Sequence, residues 1–435
     1  MNRRPARTRH RAAKPTTRPR SALPSRELES DAAQATGEVV LRSHLSQPHI
    51  FRKQIQRVVG DPEMGSFVSL QDDTGQRVGY GLFNPKSEIR VRLLSRGEHF
   101  PRDFWKTRLK QAFEYRKNFL GLDSRTDVYR LVHSEGDGLS GLMVDRYRDI
   151  LSVEVFSPGM LQRAESLLEL LHPLCGTHHH LIRCSPQSLK QEGFSVLPHA
   201  SGDCPTSCVV EENRVRFQIE FPDSHKTGFF CDQRENRLGL SNYCKGKSVL
   251  DLCCYTGGFS VYAAALGRAK EVTGVDLDEQ AVSTARKNEK LNRQRIRFLH
   301  ADIFPWMRDA ISNGQTFDVV VLDPPKLINH RKDFEKGCQT HFDMNRLAMQ
   351  LVAPGGVLLT CTCSGLLGGD EFFKLVCAAS RQSGDPLPGQ KSDALPRRGV
   401  RTMKIFDRTG AGADHPVTGE SPQTAYLDAI WCRLE

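Results

Sequence analysis

The chain has no run of about eighteen apolar residues, which excludes a conventional membrane-spanning helix. Its first residues also lack the apolar stretch of a secretion signal, so a soluble, unexported protein is expected. Cysteine is sparse: 13 in 435 residues, an odd number. That composition rules out a disulfide scaffold and points to reduced, cytoplasmic thiols. The CxxxC of Cys204 and Cys208 stands near His178-His179-His180, but the repeated pair of a structural zinc site is missing, so no metal is expected. There is no GxGxxG fingerprint and no internal repeat. The length exceeds one ordinary core and implies two or three domains.

The net charge of +10 is unevenly placed. Residues 1–26 carry eight Arg and one Lys with no acid, and the other 52 basic residues face 51 acidic ones. Four prolines and almost no apolar residues in that stretch predict a disordered basic arm over 1–37. Such an arm can hold phosphates through counterion release or serve only as a solubilising tail.

Short β-type runs between Gly, Asp and Pro predict a small all-β module over 38–97. DFWKTRLKQAFEYRKNFL, residues 103–120, has helical spacing of apolar residues with basic residues between them. Strand patterns with one helix around 158–171 predict an α+β part over 98–222. From 223 the texture becomes α/β: SVLDLCCY, EVTGVDLD, IRFLHAD, FDVVVLDPP and GGVLLTCTC are Val/Leu/Ile-rich strands, each followed by a helical stretch. That alternation predicts a doubly wound parallel sheet. VRTMKIF and AYLDAIWCRL have only loop between them, so one of them is expected to insert antiparallel at the sheet edge.

Ligands of such a sheet bind outside the carboxyl ends of its strands. The first end, DLCCYTGGF, offers Asp251, Tyr255, Thr256 and two glycines, Gly257 and Gly258, where backbone can approach a ligand closely. Asp276, 19 residues beyond Gly257, ends the second strand and can accept both hydroxyls of a ribose. Asp278 suits the cap of the next helix better. Asp302 ends the third strand and can order an adenine amino group. Glycine, acid and acid describe a nucleoside cofactor. Without a dinucleotide phosphate motif, S-adenosylmethionine fits better than NAD. At the fourth end, in LDPPK (322–326), two prolines freeze a loop beside the cofactor, which makes Asp323 a candidate for cofactor binding as well as a rigid carboxylate for a planar base edge.

Six motifs in register carry a resemblance: LVHSEGDGLSGLMVDRY (131–147), SHKTGFFCDQRENR (224–237), LDLCCYTGGFSV (250–261), FDVVVLDPPKL (317–327), LLTCTCSGLL (358–367) and ADHP (413–416). Within class I methyltransferases the chain resembles bacterial RlmI-like enzymes, the cytosine-C5 methyltransferases of large-subunit (23S) ribosomal RNA, over about residues 39–435. The resemblance implies an N-terminal PUA-like RNA-binding domain, a middle α+β domain and a C-terminal Rossmann-like methyltransferase with a seven-stranded sheet. It also implies that S-adenosylmethionine is the cofactor, that ribosomal RNA is the partner, and that a homodimer is open. The sequence departs from the family at His49, where a Trp is usual, and at Cys253 and Cys254, read as buried packing residues of the first strand.

Carbon 5 of cytosine is a poor nucleophile, and a thiolate added to C6 makes it enamine-like. Cys361 and Cys363 share a strand face, but only Cys363 reaches the loop at the carboxyl end, and it falls on the family's cysteine before Ser-Gly. Cys363 is therefore the expected nucleophile, with Asp323 on N3 and the amino group of cytosine and Lys326 on a phosphate. The resemblance further implies that Lys226, Asp232, Gln233 and Arg234 line the junction over cofactor or RNA. Interdomain ion pairing is the competing reading for these four. The base that removes the C5 proton has no assignment. A nitrogen methyltransferase of the same fold and a catalytically silent assembly factor are the rival functions.

Overall fold

The computed structural model describes residues 23–42, 44–45, 47–221, 229–383 and 401–435. The first 22 residues of the basic arm and Lys226 lie outside them.

The C-terminal part is a seven-stranded sheet of β1 (Ser248–Leu252), β2 (Glu271–Asp276), β3 (Arg297–His300), β4 (Phe317–Leu322), β5 (Val352–Thr362), β6 (Met403–Gly410) and β7 (Asp428–Leu434), in the order β3-β2-β1-β4-β5-β7-β6. β1 to β5 are parallel, and β7 alone runs antiparallel, between β5 and β6. The antiparallel strand is therefore the last one, and it sits one place inside the edge. The chain order reverses at β1, so the crevice at its carboxyl end faces the β4 and β5 loops. Both faces are buried because the strand residues are apolar in unbroken runs: Val319, Val321, Leu359 and Trp431 join one core, and Val320, Leu322, Leu358 and Ile430 the other.

Helices α1 (Arg234–Ser241), α2 (Gly258–Ala265), α3 (Glu279–Leu291), α4 (Ile303–Ser312), α5 (Phe334–Leu351) and α6 (Gly369–Arg381) belong to this part. Asp278 caps α3 by accepting the N–H groups of Gln280 and Ala281, and Asp302 caps α4 by accepting that of Phe304.

Upstream, Val128–His133, Leu142–Tyr147, Ile150–Val155, His179–Arg183 and His199–Ala200 make a five-stranded sheet. The hairpin Ser207–Glu212/Val215–Glu220 follows, and its Val210, Val215 and Phe217 enter the same core as Val249 of β1 and Val128 of the middle sheet. The hairpin is thus part of the methyltransferase-side core, although its sequence reads with the middle part. The expected helix around 158–171 is present and longer, Pro158–Cys175. The amphipathic helix is Phe104–Glu114, continued by a π turn, Tyr115–Phe119.

Residues 38–96 hold a six-stranded sheet with a core of Val39, Leu41, Ile50, Val68, Leu70 and Val91. Its other face sets Phe67, Tyr80 and Leu82 against Trp105 and Leu109, so this module is docked and not tethered. His49 points inward, with Nε2 2.7 Å from Glu135.

Residues 23–37, expected to be disordered, are ordered. Residues 23–37 pack on the 158–175 helix: Leu23, Leu28 and Ala32 cover its core, and Glu29 forms a buried ion pair with Arg163. A few apolar residues and one buried acid suffice to order a stretch whose average composition is polar.

Candidate active site

The strand-end carboxylates converge. The thiol of Cys253 is pushed well above its ordinary value, first by burial and then by Asp276, Asp323, Asp251 and Asp302, so all four acids lie within electrostatic reach of it. Cys253 and Cys254 stand in the turn after β1 and not on the strand. Cys253, Tyr255 and Gly257 all have positive φ, of 60°, 48° and 81°. Two non-glycine residues in the left-handed region of one turn are strained, the mark of a loop whose shape serves a ligand. Gly257 itself is required by packing: a Cβ there would lie 2.8 Å from Phe298 Cζ. Gly258 opens α2, Thr256 gives its carbonyl to Asn288 Nδ2 (2.8 Å), and the Tyr255 ring stands edge-on to Phe230.

Asp276 accepts the N–H groups of Tyr255 (2.7 Å) and Asp278 (2.9 Å), one on each oxygen, leaving further lone pairs for two hydroxyls. Asp251 is fully buried. Its Oδ2 accepts both the N–H (2.9 Å) and the hydroxyl (2.6 Å) of Ser260, while Oδ1 is buried with no partner among the described residues. Burial raises this carboxyl to about 7. A buried acceptor left over beside a ribose-type carboxylate suits a cofactor that carries both an ammonium and a ribose. Asp302 is exposed and keeps one oxygen beyond its cap bond. S-adenosylmethionine fits these groups.

The second half of the site lies on β4 and β5. Asp323 follows β4, with its N–H on the Leu252 carbonyl (3.3 Å), between a buried chain end and buried Pro324. Lys326 is exposed. β5 ends at Thr362; Cys361 on the strand is wholly buried, and Cys363, just past its end, is half-buried. Burial pushes the Cys361 thiol far up, and Asp323, Cys363 and Asp232 add to the rise while Gln233 opposes it, which places these groups around it. Ser364 Oγ accepts the N–H of Ile328 (3.3 Å), and Thr362 Oγ1 meets Nε2 of His341 (3.2 Å), a ring that burial lowers to about 4 and so keeps neutral.

Gln233 and Arg234 stand side by side at the start of α1 but are placed differently. Gln233 is buried, its Oε1 accepting from Asn236 Nδ2 (2.6 Å) while its Nε2 has no partner among the described residues and stays beside Cys361, so only Arg234 is spent on ion pairs. Arg234 is buried, with Nη2 2.8 Å from Asp414 and Nε 3.3 Å from Glu212, which also takes Arg237 at 2.7 Å. Burial opposes its charge, yet the two carboxylates hold it protonated. The ion-pairing reading describes it, because a guanidinium satisfied on two buried acids has nothing to offer RNA. Tyr426 was not legible as a site residue: its hydroxyl donates to Asp232 Oδ2 (2.6 Å), and a Cβ on Gly365 would lie 3.7 Å from its own Cβ. In sequence it is one aromatic of a strand-like run 63 residues past Cys363, with no local signal. Among the described residues no helix is long and apolar enough to cross a membrane.

A doubly wound sheet in the order 3-2-1-4-5-7-6, with a nucleoside-type site at its carboxyl ends, defines a methyltransferase. The chain matches the S-adenosylmethionine-dependent methyltransferase family over residues 183–383 and the PUA-like domain over 45–96. It is similar to the ribosomal RNA large subunit methyltransferase I of Aliivibrio fischeri, 35% identical over 398 residues that cover 89% of this chain and 95% of the relative. The protein of that name from Aeromonas hydrophila is 36% identical over 405 residues, 91% of this chain and 96% of the relative. Two solved structures share the fold, a methyltransferase complexed with SAH (TM-score 0.74, 19% identity, 91% of this chain and 99% of that one) and a SAM-dependent methyltransferase from Streptococcus mutans (0.72, 17%, with the same coverage). The chain belongs to the ribosomal RNA large subunit methyltransferase I family, and it is an S-adenosylmethionine-dependent methyltransferase.

Proposed function

We propose that this protein methylates carbon 5 of a cytosine in large-subunit ribosomal RNA through a covalent adduct on Cys363. The observation that carries this reading is the half-buried Cys363 just past the end of β5, beside the Asp323 loop of β4 and the convergent carboxylates of the cofactor end. The names of the relatives support the RNA class.

Bound S-adenosylmethionine supplies an electrophilic methyl group. Asp251, Tyr255, Thr256, Asp276 and Asp302 hold it, with Gly257 and Gly258 shaping the turn. Cys363, as thiolate, adds to C6 of the base and makes C5 nucleophilic. Asp323 accepts from the amino group and gives N3 a proton that offsets the adduct's developing charge and returns to the acid on elimination, and its prolines keep it from reorienting. Lys326, exposed on the same loop, meets a phosphate. The PUA-like 38–97 module binds the RNA, in the cytoplasm. The experiment is methylation of unmodified ribosomal RNA, mapped by bisulfite sequencing, with Cys363→Ala in parallel. One protected cytosine made by the wild type alone is expected. Equal methylation by both proteins, at nitrogen or at carbon, overturns the reading.

A further inference from the structure

The adduct mechanism leaves one step without a residue. After methyl transfer C5 carries both the methyl group and its original proton, and that proton must leave before the enzyme is released. Cys363 cannot take it while bonded to C6, and Lys326 is a cation. Asp323 is committed to the base edge.

Asp251, Asp276 and Asp302 belong to the cofactor end, and the acid that joins Asp323 around Cys361 is Asp232. It lies in the short 3-10 turn Cys231–Gln233 that leads into α1, near enough to Cys361 to act on its thiol. Its Oδ2 accepts the hydroxyl of Tyr426 at 2.6 Å, and its backbone carbonyl accepts the N–H of Gly412 (2.8 Å). Oδ1 is buried and has no hydrogen-bond partner among the described residues. Leaving one oxygen of a carboxylate dry and unpaired costs free energy on the order of 1–3 kcal/mol, which points to a use for it. Tyr426 sits beside the nucleophile's own loop. The β5–β7 register pairs Thr362 with Asp428, so the chain carries Tyr426 alongside Ser364, and its Cβ approaches Gly365. The phenol is kept protonated by burial and by Asp232, so it donates and cannot itself be the base.

We propose that Asp232, oriented by Tyr426, is the base that removes the C5 proton. Asp232 Oδ1 takes the proton from C5. The C5–H electron pair re-forms the C5–C6 double bond, and the C6–S bond breaks to return Cys363 as thiolate. The proton then passes from Asp232 to solvent. Tyr426 is a positioning residue, fixing Oδ2 so that Oδ1 faces the reacting carbon. This inference rests on the cytosine-C5 reading.

The test is Asp232→Asn incubated with S-adenosylmethionine and unmodified ribosomal RNA, read on a denaturing gel for protein joined covalently to RNA, with bisulfite mapping and calorimetric SAH binding alongside. Addition and methyl transfer stay intact and elimination fails, so the adduct becomes the main form of the enzyme while turnover falls about 10²-fold or more. The double variant with Cys363→Ala forms none. Tyr426→Phe shows the same accumulation to a smaller degree, and it decides the matter should Asp232→Asn not fold. If the wild type makes 5-methylcytidine but neither variant accumulates adduct, the inference is overturned. Weakened SAH binding as the sole defect likewise overturns it and assigns the carboxylate to the cofactor. If the wild type makes no 5-methylcytidine, or Cys363→Ala stays active, the cytosine-C5 reading itself has failed.

Discussion

Ile328 donates its backbone N–H to the hydroxyl of Ser364 at 3.3 Å, and both residues are fully buried. This bond ties the loop that carries Asp323 and Lys326 to the turn that carries Cys363, the proposed base-holding acid and nucleophile. Ser364→Ala leaves that N–H unpaired and is expected to cost about 1–3 kcal/mol by urea denaturation. Methylation should slow while SAH affinity, measured by calorimetry, stays within about twofold, because the cofactor end touches neither residue.

The two cysteines of TCTCSG should separate cleanly. Cys363→Ala is expected to bind SAH normally and lose methylation by at least roughly 10³-fold. Cys361, wholly buried on β5, packs and does not react. Cys361→Ala should keep activity and lose about 1–2 kcal/mol of stability to the cavity it leaves.

Asp251 predicts a pH dependence of stability. Its carboxyl sits at about 7 in the fold against an ordinary 3.8, so the folded state binds this proton more tightly than the unfolded chain. Its contribution to stability is full below about pH 4, falls as pH rises to about 7, and is level above. Asp251→Asn cannot ionise. Relative to wild type it should gain roughly 4 kcal/mol between pH 4 and pH 8, read from urea midpoints.

Arg234 should behave as a structural cation. Arg234→Ala strands Asp414 and part of Glu212 in a dry junction and is expected to destabilise by about 3–5 kcal/mol. At a temperature where the variant is still folded, the salt slope of RNA binding should match the wild type's, since no phosphate contact is lost.

Much of the architecture was legible because its signals are local. Val/Leu runs such as FDVVVLDPP can be satisfied only by a strand covered on both faces, and β4 is such a strand. Asp278 sits one residue before a helical pattern and caps α3 as expected, while Asp302, read only as an adenine partner, also caps a helix. Nothing in the sequence joins Glu29 to Arg163, and for Arg234 it leaves junction lining and ion pairing both open. Glu29 and Arg163 lie 134 residues apart and Arg234 and Asp414 180, while Glu212 and the adjacent Glu235 complete the pairing of Arg234, and burial is decided by those partners.

The sequence by itself determined the strand order's raw material, the carboxylate at each strand end and the cysteine past β5, since spacing along one element sets which face and which end a residue occupies. Only the tertiary structure decided which of those groups are free to act. It paired Arg234 inward, removed Cys361 from reach, tied Ser364 to Ile328, and brought Tyr426 onto Asp232 from 194 residues away. The reason is physical: hydrogen bonding and desolvation depend on distances of a few ångströms between segments, and those are fixed by packing and not by position in the chain.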